Sequence, residues 1–314
     1  MSTTGVVLSG TGGVYQVRTA GGETVDTALR GRLKQERADA DGRAPLKLAV
    51  GDDVELERDA SDTRWAIGRI LPRRSKLSRR EPGGRHGERV VAANVDQVVV
   101  VFAAANPEPH VRMLDRFLVI AEANEIAARV IVNKSDLVGG AAAARAPFAA
   151  YATIGYPVQA ISVVRGEGIE EVRAVLAGRR SVVSGPSGVG KSSLLNALFP
   201  GLNLRVGDVS VSVNKGRHTT VGALLHPLAD GGAIIDTPGL REVGLWGLSA
   251  DELAACFPEF RPLLGECRFG NCAHTAEPGC AVLAAVGRTI SRERYDSFLQ
   301  LRAELADPSA TGRS

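Results

Sequence analysis

The sequence predicts three domains in series: an N-terminal all-β barrel of the OB type, a central α/β domain with a mostly parallel sheet, and a C-terminal, mainly helical module. Three observations carry that reading. Short alternating apolar runs separated by turn residues fill the first ~70 positions. From Ala93 onward, apolar runs alternate with helical segments. Three cysteines and a histidine then crowd between Cys267 and Cys280. A length of 314 residues, about twice that of an ordinary domain, accommodates such a series.

Composition excludes several classes. Hydrophobic residues at 44% and charged residues at 23% are globular values. The longest apolar run, Val98 to Ala105, is too short to cross a bilayer, and no secretory segment opens the chain. A cytoplasmic protein without membrane contact is expected, as a monomer. The net charge of +3 does not by itself announce a nucleic-acid partner.

The barrel is assigned to residues 1–72, on runs such as Gly5 to Leu8, Val14 to Val17 and Asp53 to Leu56. Periodicity alone does not separate an OB barrel from an SH3-like one. Residues 73–92 read as a linker. A basic stretch, Arg69 to Arg80, leads into it and is followed by the Gly- and charge-rich Glu81 to Arg89. Both a solvated connector and a contact to phosphate backbone suit this composition.

Residues 93–245 form the α/β domain. Strands are expected at Gln97 to Phe102, Arg129 to Val132, Pro157 to Ser162, Ser181 to Ser184, Gly222 to Leu228 and Ala233 to Asp236. Helices are expected at His110 to Ala123, Ile169 to Leu176 and Lys191 to Phe199, with Ala141 to Ala150 interrupted by Pro147. In residues 246–306 a capping box, Ser249 to Glu252, predicts a helix start, and a last amphipathic helix runs from Ser291 to about Leu305. Residues 307–314 read as a disordered tail.

The chemistry lies in the loops after the strands. Gly185, Pro186, Ser187, Gly188, Val189, Gly190, Lys191 and Ser192 fit the phosphate-loop pattern G-x-x-x-x-G-K-S/T between a strand and a helix. Glycines there let backbone N–H groups close around phosphates, Lys191 reaches the β and γ oxygens, and the Ser192 hydroxyl can ligate Mg²⁺. Asp236-Thr237-Pro238-Gly239 ends a strand, where Asp236 would hold Mg²⁺ through its waters and the Gly239 N–H would meet the γ-phosphate. Asn133-Lys134-Ser135-Asp136 follows another strand. The Asp136 carboxylate can accept two N–H bonds from guanine, which adenine cannot offer, while Asn133 bonds near the base and the Lys134 stem covers it.

The base-reading tetrad therefore precedes the phosphate loop, and the motifs of a P-loop GTPase run in permuted order. Ser162 stands at a second base-facing loop. Gly216 to Thr220 contains a threonine, Thr219 or Thr220, able to complete the Mg²⁺ shell, Thr220 being preferred. The position after Gly239, where some GTPases carry a water-orienting Gln, is Leu240. Slow intrinsic turnover is expected, with His218 the nearest alternative to orient water.

Cys267, Cys272, His274 and Cys280 offer three thiolates and one imidazole, a set that suits tetrahedral Zn²⁺. A complete Cys₃His set leaves no open position, so the zinc would be structural.

Taken in order, NKSD, GPSGVGKS, HTT, DTPG and C-x4-C-x-H-x5-C behind a small barrel resemble the circularly permuted ribosome small-subunit-dependent GTPase A (RsgA) family. The resemblance covers roughly residues 5–305. It implies an OB domain, a permuted G domain and a zinc domain that bind the 30S subunit and its 16S rRNA, with GTP hydrolysis stimulated there in late maturation. It extends the phosphate loop to Ser193, and departs from the family's usual residues at Val163 and Val221.

Overall fold

The structure, a computed structural model, describes residues 2–30, 47–58, 64–80, 88–202, 223–229, 231–237 and 248–306. The tail expected to be disordered lies outside them.

Five strands close the N-terminal barrel: β1 (Ser2–Thr11), β2 (Val14–Thr19), β3 (Thr24–Leu29), β4 (Asp53–Glu57) and β5 (Ala66–Ile70). Their order is β1-β2-β3-β5-β4, with β4 returning to β1. One neighbouring pair, β3 with β5, is parallel, which a simple meander cannot produce. That connectivity selects the OB barrel over the SH3-like alternative. Alternation puts Val7, Val17, Val54, Leu56 and Ile67 inside.

The segment read as a linker contains structure. β6 (Lys76–Arg80) and β7 (Glu88–Ala93) pair as an antiparallel ribbon. Leu77 and Ala92 anchor it in the central core, and Asn124 Oδ1 accepts the Ser78 N–H at 3.1 Å. Charged residues on both strands hide these two apolar anchors from a composition-based reading.

The central sheet has the order β10-β9-β8-β11-β13-β12. It uses β8 (Gln97–Ala103), β9 (Ala127–Asn133), β10 (Val158–Ala160), β11 (Arg180–Ser184), β12 (Leu224–Pro227) and β13 (Ala233–Asp236). All neighbours are parallel except β12 with β13. The strand β8 is buried along its whole length, as an inner strand covered on both faces must be. Helix α1 (Val111–Ala123) covers one face. Two short helices, α2 (Ala141–Arg145) and α3 (Ala149–Thr153), flank a 3₁₀ turn at Pro147, which lacks the N–H an α-helix needs there. The other face carries α4 (Ile169–Leu176) and α5 (Lys191–Leu198).

In the C-terminal module the capping box forms without an α-helix behind it. Glu252 accepts the Ser249 N–H at 2.9 Å, and Ser249 Oγ accepts the Glu252 N–H at 3.3 Å. The next residues, Leu253–Cys256, make a 3₁₀ turn instead, because Phe257 precedes Pro258 and is held extended, at φ −108°. Two helices complete the module, α6 (Ala281–Ala285) and α7 (Arg292–Ala306). Phe257, Phe260 and Phe298 form its centre, with ring centroids 5.0–5.5 Å apart, and Val119 of α1 joins the same core.

Ion pairs join the parts. Arg180 reaches Asp53 of the barrel at 2.7 Å, and Arg73 reaches the fully buried Asp52 at 2.6 Å. Arg294 of α7, 3% exposed, bonds Asp115 of α1 at 2.6 Å and Glu259 at 2.7 Å. Tyr151 donates to the same Asp115 oxygen, also at 2.6 Å.

Candidate nucleotide site and cysteine cluster

Two loops at the carboxyl edge of the parallel strands meet although they lie more than fifty residues apart. Gly185 to Gly190 leaves β11 and opens α5, whose first-turn N–H groups have no partner within the helix and face outward. Gly185 has φ +136°, and a Cβ on it would stand 2.1 Å from Val101 O of β8. Only glycine permits that approach. Lys191 Nζ donates to Gly185 O at 2.7 Å, which holds the ammonium at the mouth of the loop.

The tetrad after β9 docks on this loop. Asn133 is 3% exposed; its Nδ2 donates to Val189 O at 3.0 Å, and its Oδ1 accepts the Val163 N–H at 3.2 Å. Lys134 adopts φ +64° and donates to Gly188 O at 2.8 Å and to Asn106 O. Ser135 is buried, its N–H bonded to Ile161 O at 3.1 Å. Ser162, fully buried, donates to Asp136 Oδ1 at 2.5 Å. That bond holds the Asp136 carboxyl below the usual carboxylate range, aided by the charges of Arg165 and Lys134. An ionised, half-buried carboxylate braced from behind can accept N–H donors from a guanine edge.

Asp236 ends β13, whose register sets Ile235 beside Val182 and so brings Asp236 to the flank of the phosphate loop. The adjoining Thr237 hydroxyl is buried without a partner among the described residues. Ser192 and Ser193 lie in the first turn of α5. His218, Thr219, Thr220, Gly239 and Leu240 fall outside the described residues.

The cysteine cluster is assembled around a tight knuckle. The ligand atoms of Cys267, Cys272, His274 and Cys280 lie within 4.8 Å of one another, so a single metal ion could touch all four. His274 Nδ1 is 3.5 Å from the sulfurs of Cys267 and Cys280, which are 3.9 Å apart. The N–H groups of Ala281 and Leu283 point at the Cys267 and Cys280 sulfurs, each at 3.4 Å.

Sequence reasoning missed the residues that shape this knuckle. Glu277 accepts the N–H groups of Ala273, Thr275 and Ala276 at 2.8–3.0 Å. These backbone bonds lower its pKa to about 2. Tyr295 of α7 donates to His274 O at 2.9 Å. The acid between His274 and Cys280 was the one signal present; Tyr295, 21 positions away in sequence, left none.

Comparison with known proteins agrees with this geometry. The RsgA GTPase family profile matches residues 70–246, and the RsgA N-terminal domain profile matches residues 4–65. A protein of Gemmatimonas aurantiaca named small ribosomal subunit biogenesis GTPase RsgA is 61% identical over 306 residues, covering 97% of this chain and 98% of its own. A Pseudomonas aeruginosa protein of the same name is 42% identical over 308 residues, covering 97% and 86%. The crystal structure of YjeQ from Thermotoga maritima superposes with a TM-score of 0.79 at 32% identity, covering both chains completely. That of YloQ, a circularly permuted GTPase, gives 0.73 at 27% identity, covering 98% of this chain and 96% of that one. A barrel of OB connectivity, a guanine-type tetrad docked on a phosphate loop that follows it in sequence, and these likenesses together establish that the chain belongs to the RsgA GTPase family.

Proposed function

We propose that this chain hydrolyses GTP during late maturation of the small (30S) ribosomal subunit, that the subunit stimulates the reaction, and that 16S rRNA provides the contact. The observation that carries the reading is the Asn133 Nδ2 to Val189 O bond, which makes the base-reading tetrad and the phosphate loop one site. The names of the relatives supply the ribosomal context.

In this reading Asp136 selects guanine, with Asn133, Lys134, Ser135 and Ser162 fixing its loop. Residues Gly185 to Ser193 cradle the phosphates, and Lys191 moves from the loop carbonyls to the β and γ oxygens. Ser192, Asp236 and Thr220 would hold Mg²⁺, which offsets phosphate charge when bound. Gly239 contacts the γ-phosphate. His218, with Thr219 and Thr220, serves hydrolysis, since Leu240 cannot hydrogen-bond a water. The metal of the cluster is zinc: tetrahedral bonds of about 2.3 Å to sulfur and about 2.0 Å to nitrogen place ligand atoms about 3.5–3.8 Å apart. The observed separations of 3.5 and 3.9 Å fit that set. Its role is to fold the module.

The domain limits proposed are 1–72 for the barrel, 73–92 for the connecting segment, 93–245 for the G domain and 246–306 for the zinc module, in a monomeric cytoplasmic protein. Nucleotide state reaches the module by two routes. One is the chain from DTPG through residues 240–248. The other is α1, whose preceding loop carries Asn106, bonded by Lys134, and whose outer face carries Asp115 and Val119. Multiple-turnover GTP hydrolysis, measured with and without purified 30S subunits, tests the proposal; stimulation is expected, and an unchanged rate would defeat it. Equal subunit affinity with GDP and a non-hydrolysable GTP analogue would remove the readout.

A further inference from the structure

Part of the basic stretch that drew attention in the sequence is paired within the protein. Arg69 bonds Glu55, Arg73 forks Asp52, and Arg74 reaches Asp96 at 3.1 Å. Two arginines that no motif marks are different. Arg129 lies near the start of β9 and Arg179 just before β11, and neither guanidinium meets an acceptor among the described residues. The Nε of Arg129 is fully buried and unpartnered. Burial first, and then the like charge of Arg179, lower the Arg129 pKa from its ordinary value. Two adjacent cations with an orphaned donor, in a protein that pairs the buried Arg294 twice over, point to a missing anion.

A place for that anion is at hand. A cleft of about 500 Å³ opens beside Arg179, lined also by Arg74, Arg180, Asp96, Gly178 and Gly231. It lies at the amino-terminal edge of the sheet, the pole opposite the nucleotide site, where the barrel meets the G domain through Arg180 and Asp53. Among the described residues Asp96 pairs with Arg74 and Asp53 with Arg180, which leaves the charges of Arg179 in the cleft and of Arg129 behind it unmatched. The cleft is larger than one phosphate and open, so it suits a phosphate carried on a polymer.

We propose that this cleft binds a phosphodiester group of an RNA backbone, with Arg179 as the outer contact and Arg129 as the charge behind it. The phosphate chemistry stands on the cleft; the identification of RNA rests on the ribosomal function proposed above. Such a contact adds one step to the salt dependence of RNA binding.

The test is the affinity of the full chain for a fluorescein-labelled RNA hairpin, followed by anisotropy across a range of KCl. Arg179→Ala should weaken binding several-fold and lower the log–log salt slope by about 1, and Arg179→Glu should weaken it more. Arg179 is exposed, so neither change should alter the melting temperature or GDP affinity. Unchanged RNA affinity and slope in both variants would overturn the proposal. A second arm uses inorganic phosphate and pyrophosphate as probes. If these raise the melting temperature through Arg179 while RNA binding ignores it, the RNA occupant is refuted in favour of a small anion. Hydrolysis with 30S subunits on the same preparations keeps the two questions apart. A wild type without stimulation would sink the ribosomal reading while the salt slope still reports on the cleft.

Discussion

Asn133 and Gly190 are fitted to each other: a Cβ on Gly190, which sits at φ +92°, would stand 2.4 Å from the Asn133 Nδ2 that bonds Val189 O. The permuted chain thus restores at atomic contact what its sequence order separates. Gly190→Ala should push Asn133 off the loop and weaken GDP binding at least about tenfold. Asn133→Ala removes a donor to Val189 O and an acceptor of the Val163 N–H. At about 1–3 kcal/mol for such buried groups, it should cost roughly 5- to 150-fold in affinity. Calorimetric titration with GDP decides; wild-type affinity in either variant would contradict the docking role.

Asp136 offers a second test. Its carboxylate is braced by Ser162 and kept ionised at neutral pH. Asp136→Asn presents an amide donor where an acceptor is needed, so GTP should bind at least about 100-fold more weakly, while xanthosine triphosphate, with an oxygen in place of the exocyclic amine, should gain. Competition between the two nucleotides reads the switch; an unchanged preference for GTP would remove Asp136 from base recognition.

Glu277 should titrate near pH 2, far below an ordinary glutamate, because its carboxylate gathers the knuckle's N–H groups. Its pKa is depressed in the fold, so its contribution is complete above the unfolded value near 4.5 and fades as pH falls toward 2. Glu277→Gln should therefore release metal to a chelator more readily at pH 7 than wild type does. Metal release at the wild-type rate, or a carboxyl midpoint near 4 by NMR, would show that the N–H bonds do not matter.

Arg294→Ala leaves Asp115 and Glu259 buried beside each other without their cation. Breaking a buried pair this way costs about 3–5 kcal/mol, so denaturant unfolding should begin at markedly lower concentration. Arg294→Met, joined with Asp115→Asn and Glu259→Gln, should recover part of the loss. If Arg294→Ala unfolds like wild type, the network is not what seats the module.

Chelation should act locally. Hydrogen exchange in α6 and α7 should accelerate when metal is withdrawn, because the knuckle loses its cross-link and the Phe257, Phe260 and Phe298 core loses its floor. The barrel has a separate core around Val54 and Leu56, and its protection should persist. Uniform deprotection of both would contradict separate cores.

How much of the molecule was legible in its sequence depends on range. The phosphate loop, the tetrad and the cysteine cluster are contiguous motifs whose chemistry needs fixed local spacing, and the parallel strands announce themselves as apolar runs. Barrel type was not legible, since it depends on β3 lying beside β5, a pairing across 38 residues from Ala28 to Ala66. The β6 and β7 ribbon was hidden because its buried anchors, Leu77, Ala92 and Ala93, are few and follow charged neighbours. The capping box was read correctly as a local bond pattern and wrongly as a helix, because Pro258 acts nine residues after Ser249. Arg129 and Arg179 are ordinary letters in the sequence, and that neither guanidinium meets an acceptor among the described residues is visible only in three dimensions.

The contact between Asp115 and Arg294 spans 179 residues, and that gap is also an interval of time. At a synthesis rate of roughly 5–20 residues per second, α1 is made about 9–36 s before the arginine that covers it. Until then the face of α1 that will hold the module stands in water. A carboxylate at its centre keeps that face soluble during the wait, where an all-apolar face would invite association between nascent chains. The buried aspartate of the finished molecule is the exposed one of the unfinished molecule.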